Sequence, residues 1–166
     1  HPRKIEVQHA WMREHPEAAL TGHPYLLAAK EARPDPLPKH WRVRRVSALE
    51  QLLSNRFSPI SVMLRRDLPF RFDPSRRYSE DFLLCTQILL SGRMACRLEV
   101  PLAYIHKASY GHSGLSGDLW VSMRGELASY RRLWEDRMIS SPAYGLLLPF
   151  IMAKFLRRVA ITSMSK

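Results

Sequence analysis

Two adjacent acids, Glu80-Asp81, follow Ser79 and open an apolar run, Phe82, Leu83, Cys85, Ile88 and Leu89, that stops at Gly92. Acids in a first turn and glycine at the end predict a helix starting near Ser79. A carboxylate there lies in the positive end of the helix macrodipole, which favours its ionised form. An ionised, positioned carboxylate can act as a general base. Two first-turn acids also serve as plain dipole complements with no chemistry attached, so local sequence leaves both readings open. His106 and Lys107 follow Tyr104-Ile105, and a lone histidine after a strand is more often a surface or packed imidazole than a functional one. The stretch from Ala108 to Gly117 holds three glycines, three serines and His112. A loop of this composition can close over a substrate or merely connect.

Periodicity supplies the elements that must position these groups. Arg3 to His15 has apolar Ile5, Val7, Trp11 and Met12 at helical spacing, and Pro2 suits a first turn. His15-Pro16 ends it. Ala18 to Gly22 then reads as a short strand, with Tyr25 to Ala29 as its continuation or partner. Residues 33 to 38 carry three prolines and cannot be regular structure. Ser47 with Glu50 has capping-box spacing ahead of a short helix. Ser58 to Leu64 reads as a buried strand closed by Arg65-Arg66-Asp67, and Met94 to Ile105 as a strand with Pro101 at an edge or bulge. Leu119, Trp120, Met123, Leu127, Tyr130 and Trp134 share one side of a helix. Tyr144 to Ile161 is an apolar helix interrupted by Pro149 and carrying Lys154, Arg157 and Arg158. Such a basic amphipathic helix fits a membrane interface, its own domain or a second subunit equally well. Trp41, Trp120, Trp134 and Tyr130 could stack sugar rings, but aromatics at helical spacing are assigned to the core.

The chain has 166 residues, 46% hydrophobic and 25% charged, enough to bury a core, which predicts a globular chain rather than wholesale disorder. Its 26 Lys and Arg against 15 Asp and Glu give a net charge of +11, pointing to an anionic partner. Cys85 and Cys96 form neither a disulfide scaffold nor a zinc spacing, so a reducing compartment is expected. No signal-like start is seen, and the longest apolar stretch falls below the roughly 18 to 20 residues of a spanning helix.

The order of several short runs resembles family 2 glycosyltransferases. His1-Pro2-Arg3-Lys4-Ile5-Glu6-Val7-Gln8 and His15-Pro16-Glu17-Ala18-Ala19-Leu20-Thr21-Gly22 are similar to the segment just downstream of that family's metal-binding Asp-x-Asp motif. Ser58-Pro59-Ile60-Ser61-Val62-Met63-Leu64-Arg65-Arg66, Phe72 and Ser79-Glu80-Asp81-Phe82-Leu83-Leu84 resemble its strand leading into the acid pair. Leu98-Glu99-Val100-Pro101-Leu102-Ala103-Tyr104, Gly114-Leu115-Ser116, Leu119-Trp120, Glu126-Leu127 and Lys154-Phe155-Leu156-Arg157-Arg158 resemble the tail of one bacterial branch.

The resemblance implies a partial GT-A fold, a Rossmann-like mixed sheet flanked by helices. Residues 1–140 would form the acceptor-side half and residues 141–166 a basic amphipathic helix. The implied activity is inverting transfer of a sugar from a nucleotide-sugar to an acceptor hydroxyl, in bacterial surface polysaccharide or glycolipid synthesis. Asp81 would be the catalytic base, Glu80 would orient it or contact the acceptor, and His106 and Lys107 would face the donor diphosphate or ligate the metal. A divalent metal, Mg or Mn, is expected to bind mainly through an N-terminal half that the chain lacks, so the chain alone is expected not to turn over. Implied partners are the nucleotide-sugar, a glycan or lipid-linked acceptor and a membrane surface, with the protein in the cytoplasm or peripheral on the inner face of the cell membrane. The alternative is a basic nucleic-acid-binding module around Trp41, Arg42, Arg44 and Arg45, or a membrane-docking module without catalysis. Nucleic acid is not expected, because zinc spacing, RNP-like aromatics and a helix-turn-helix pattern are lacking.

Overall fold

The computed structural model describes residues 1–29, 34–106 and 118–164. The chain is mixed α/β and divides into two compact units. One comprises His1–Arg71 with Leu84–Lys107, the other Phe72–Leu83 with Ala108–Lys166.

The first unit is built on a four-stranded sheet. Its strands are β1 (Ala18–Gly22), β3 (Val43–Val46), β4 (Met63–Leu64) and β5 (Met94–Leu98), in the order β3-β5-β1-β4. The β1–β5 pairing is parallel, with Ala18 opposite Met94 and Gly22 opposite Arg97, whereas β3 and β4 run antiparallel to their neighbours. All five residues of β1 are buried, as expected for a strand covered on both faces. Helix α1 (Lys4–Glu14) contributes Gln8, whose amide donates to Thr21 Oγ1 at 3.2 Å and to the Ser61 carbonyl at 2.8 Å. Helix α3 (Glu80–Leu90) spans the division between the units. Its Leu84, Cys85, Ile88 and Leu89 join Leu20, Val46, Phe57 and Ala95 in the core. Gly92, at φ 81°, ends that helix in the left-handed conformation that glycine adopts without a Cβ penalty. Both cysteines are buried.

Three strand readings need correction. The Tyr25 to Ala29 segment forms β2 (Tyr25–Leu27), which pairs in parallel with β6 (Ala103–Ile105) rather than with β1. Met94 to Ile105 is two strands in two sheets, because the chain turns at Glu99-Val100-Pro101. Ser58 to Leu64 is mostly a 3-10 turn, Pro59–Ser61, whose first position suits proline, and only Met63–Leu64 remain as an edge strand.

The second unit contains α4 (Leu119–Glu135) and α5 (Ser141–Met164). They form an antiparallel hairpin: Trp134 stacks on Tyr144 near the turn, while Glu126 meets Lys154 and Arg158 further along. The buried stripe of α4 runs through Met123, Glu126, Ser129, Tyr130 and Leu133, so Tyr130 is core as expected. Trp120 and Trp134 are not core. Trp120 leans on Phe155 and Trp134 on Tyr144, and both leave an open face. Pro149 does not interrupt α5; the helix continues through it. The carbonyl its ring crowds belongs to Gly145, whose Cα has open space around it.

Helix α2 (Ala48–Leu53) starts with the expected capping box: Ser47 Oγ accepts from Glu50 N at 3.1 Å, and the Glu50 carboxylate accepts from Ser47 N at 2.9 Å. Arg44 donates to the same carboxylate at 2.5 Å. The Ser47 backbone bond, then the Arg44 bond, hold the Glu50 carboxyl down at about 2, below its ordinary 4.5. A group depressed in the folded state stabilises above its unfolded value and loses that contribution as pH falls through the folded one. The stability difference between the native chain and Glu50→Gln, measured by urea denaturation, is therefore expected to be full above about pH 4.5 and to shrink toward pH 2.

Candidate functional site

The acid pair sits in the first turn of α3, Glu80 first and Asp81 second, both partly buried. Ser79 precedes them at the N-cap position, its carbonyl accepting from Leu83 N at 3.0 Å. Its backbone departs from the extended conformation usual for a cap: φ is 57°, in the left-handed region that costs a non-glycine residue of order 1–3 kcal/mol. Such a conformation persists where the surroundings over-determine it.

The surroundings are on α4, within the same unit. Gly125 lies so close to the entering chain that an added Cβ would stand 2.8 Å from Tyr78 Cβ and 3.2 Å from both Ser79 Oγ and the Tyr78 carbonyl. Arg76 donates Nη2 to Ser129 Oγ at 3.0 Å and to the Gly125 carbonyl at 3.3 Å. The Ser129 hydroxyl is 3.3 Å from the Ser79 carbonyl and 2.9 Å from the Gly125 carbonyl; its single proton serves one at a time. Phe82 completes the clamp against the buried Tyr130, ring centroids 5.2 Å apart. Burial, with Glu126 nearby, pushes the Tyr130 phenol well above its ordinary value, so it stays protonated.

Glu80 makes no ion pair among the described residues. The N–H groups of a helix start give a carboxylate in this turn a positive environment. The arrangement can hold an ionised carboxylate at a fixed place, which is what a base requires.

His106 belongs to the other unit, exposed beyond β6, with Nδ1 2.9 Å from the Ala28 carbonyl. That contact places the proton on Nδ1 of the neutral ring and leaves Nε2 as the acceptor. Lys107 and the glycine-rich stretch Ala108 to Gly117 lie outside the described residues. Among the described residues no three His, Cys, Asp or Glu side chains group closely enough to hold a metal ion, so they supply no ligand set for the expected divalent cation. Of the basic cluster around Trp41, Arg44 pairs with Glu50 and Glu99; Arg97 on the neighbouring strand also pairs with Glu99. A depression of about 610 Å³ at the α4–α5 turn is lined by Trp134 to Ser141 residues, none of them expected at the site.

Arg76, Gly125 and Ser129 were not singled out from the sequence. The available signal was Gly125, an isolated glycine inside a helical pattern. His23 was also missed. It is buried, with Nδ1 2.8 Å from the Pro24 carbonyl and Nε2 without a partner among the described residues. Burial, reinforced by Lys4 and Arg97, pushes its imidazole below the ordinary value and keeps it neutral.

Compared with protein-family models, curated proteins and solved structures, the chain matches none.

Gly125→Ala adds a methyl group against Tyr78, an overpacking cost of about 1–3 kcal/mol against about 1 kcal/mol gained in helix propensity. Because Tyr78 Cβ and its carbonyl cannot swing aside, the upper part of that cost, about 2–3 kcal/mol, applies, and the variant is expected to be less stable by about 1–2 kcal/mol in urea denaturation. Unchanged or raised stability would show that the close approach to the acid-bearing turn is not a constraint.

Proposed function

We propose that the chain is the acceptor-side half of an inverting family 2 glycosyltransferase with a GT-A fold. Support comes from the order of the sequence runs that resemble that family and from the mixed α/β architecture. The observation that carries the reading is the fixed address of the acid pair, behind a left-handed Ser79 clamped on α4.

In this reading an acceptor hydroxyl approaches Asp81. Its oxygen forms a bond to the anomeric carbon of the donor sugar on the face opposite the leaving group, which inverts that centre. The bond from the anomeric carbon to the diphosphate oxygen breaks, and its electron pair leaves with the nucleoside diphosphate. Asp81 takes the hydroxyl proton in the transition state, within about 2.6–3.2 Å of the hydroxyl oxygen. Glu80, beside it, orients the base or meets the acceptor. A hydrogen-bond donor or cation near the departing diphosphate would stabilise its growing negative charge. The nucleotide and the divalent cation would be held by parts of the protein other than the described residues. A glycan or lipid-linked alcohol is the acceptor class.

The test is Asp81→Asn in the protein complete with its nucleotide-binding half. Asparagine keeps the size of the side chain and removes its basicity. Transfer, followed by release of nucleoside diphosphate, is expected to fall about 10²- to 10⁴-fold in kcat with the far-ultraviolet circular dichroism unchanged. Activity within a factor of about two of the native enzyme would remove Asp81 as the base.

A further inference from the structure

Helix α5 is inverted in charge. On its inner side, Leu147, Ile151 and Phe155 are buried. Two cations share that side: Lys154 binds the Glu126 carboxylate, and Arg158 reaches its other oxygen at 3.4 Å. Glu126 is itself buried on α4, so both cations are committed to it and unavailable to an outside partner. The opposite side is apolar. Leu146 is 75% exposed and Leu156 61%, and Phe150, Met152 and Ile161 are exposed with them. Arg157 is the charged residue on this outer side.

Single exposed leucines are ordinary, but a whole helix side of large apolar residues marks an interaction surface. Charge decides its occupant. Residues 141–166 contain Lys154, Arg157, Arg158 and Lys166 and no acid. Arg157, and Arg124 on the exposed side of α4, have no ion-pair partner among the described residues. A two-fold pairing of this face with a second copy would bring two Arg157 side chains into one apolar interface with no acid of the helix to offset either. An anionic lipid surface removes that conflict, since the apolar side enters the acyl boundary while arginine reaches the headgroups. Trp120, packed on Phe155 and 59% exposed, adds the type of residue enriched at headgroup depth. No helix among the described residues is long and apolar enough to cross a membrane, so the helix would lie in the interface rather than through it.

We propose that the outer side of α5, centred on Leu146, Phe150, Leu156 and Arg157, docks the chain onto an anionic lipid surface. This docking stands apart from the transfer chemistry, because none of these residues belongs to the acid-pair clamp.

The experiment is co-sedimentation of the full chain with vesicles of phosphatidylcholine alone and of phosphatidylcholine mixed with phosphatidylglycerol. The native chain is expected to pellet with the anionic vesicles and to be released by added salt. Leu146→Glu combined with Leu156→Glu changes two exposed positions and is expected to reduce vesicle partitioning about tenfold or more. Circular dichroism checks that the double variant stays folded, and Arg157→Glu tests the charge separately. Equal binding to both vesicle types, no binding to either, or unaltered binding by a folded double variant would overturn the proposal. A lipid-free dimer that the double variant dissociates, with no pelleting of the native chain, would assign the face to a second copy instead.

Discussion

The close approach of α4 to the chain entering α3 is the constraint on which the rest depends. Gly125 has no side chain where Tyr78 and Ser79 pass, and that absence is what lets the backbones come together. Ser79 then turns through a left-handed conformation that an isolated peptide would avoid. Arg76 and Ser129 tie the segment from both sides, so the strained turn is held by hydrogen bonds rather than by propensity. A base that works by proximity needs such a support, since its efficiency falls steeply when its position wanders.

A second buried interaction lies at the next residue of α4. Glu126 is placed inside the α4–α5 hairpin, where a lone carboxylate would be costly, and Lys154 and Arg158 answer it. Drawing those cations inward leaves α5 with an apolar outer side. The basic character of the helix, evident in its composition, therefore says little about which side is charged. Its net charge is legible in the sequence and its charge distribution is not.

Local signals were read well where local physics sets the outcome. The Ser47–Glu50 capping box and the acid-first and glycine-last limits of α3 were both visible as spacing, whereas Pro2 lies before the Arg3 N-cap and not in the first turn of α1. Failures cluster where tertiary pairing decides. The strand Val43–Val46 was missed because Val-Arg-Arg-Val lacks alternation and forms on the sheet edge against β5. Tyr25–Leu27 found its partner some 80 residues away in Ala103–Ile105, which no local pattern encodes. Trp120 and Trp134 fit a helical stripe, yet the buried stripe passes through Glu126 because its partners arrive from α5. The acid pair itself was legible, but its support was not: Arg76 and Ser129 are 53 residues apart.

The most direct test of the base assignment is a distance. A structure of the intact protein with an acceptor alcohol and an unreactive nucleotide-sugar bound should place one Asp81 carboxylate oxygen about 2.6–3.2 Å from the acceptor hydroxyl, in line with the anomeric carbon. An acceptor bound with Asp81 beyond the reach of even one bridging water, its carboxylate turned into the protein, would contradict the account.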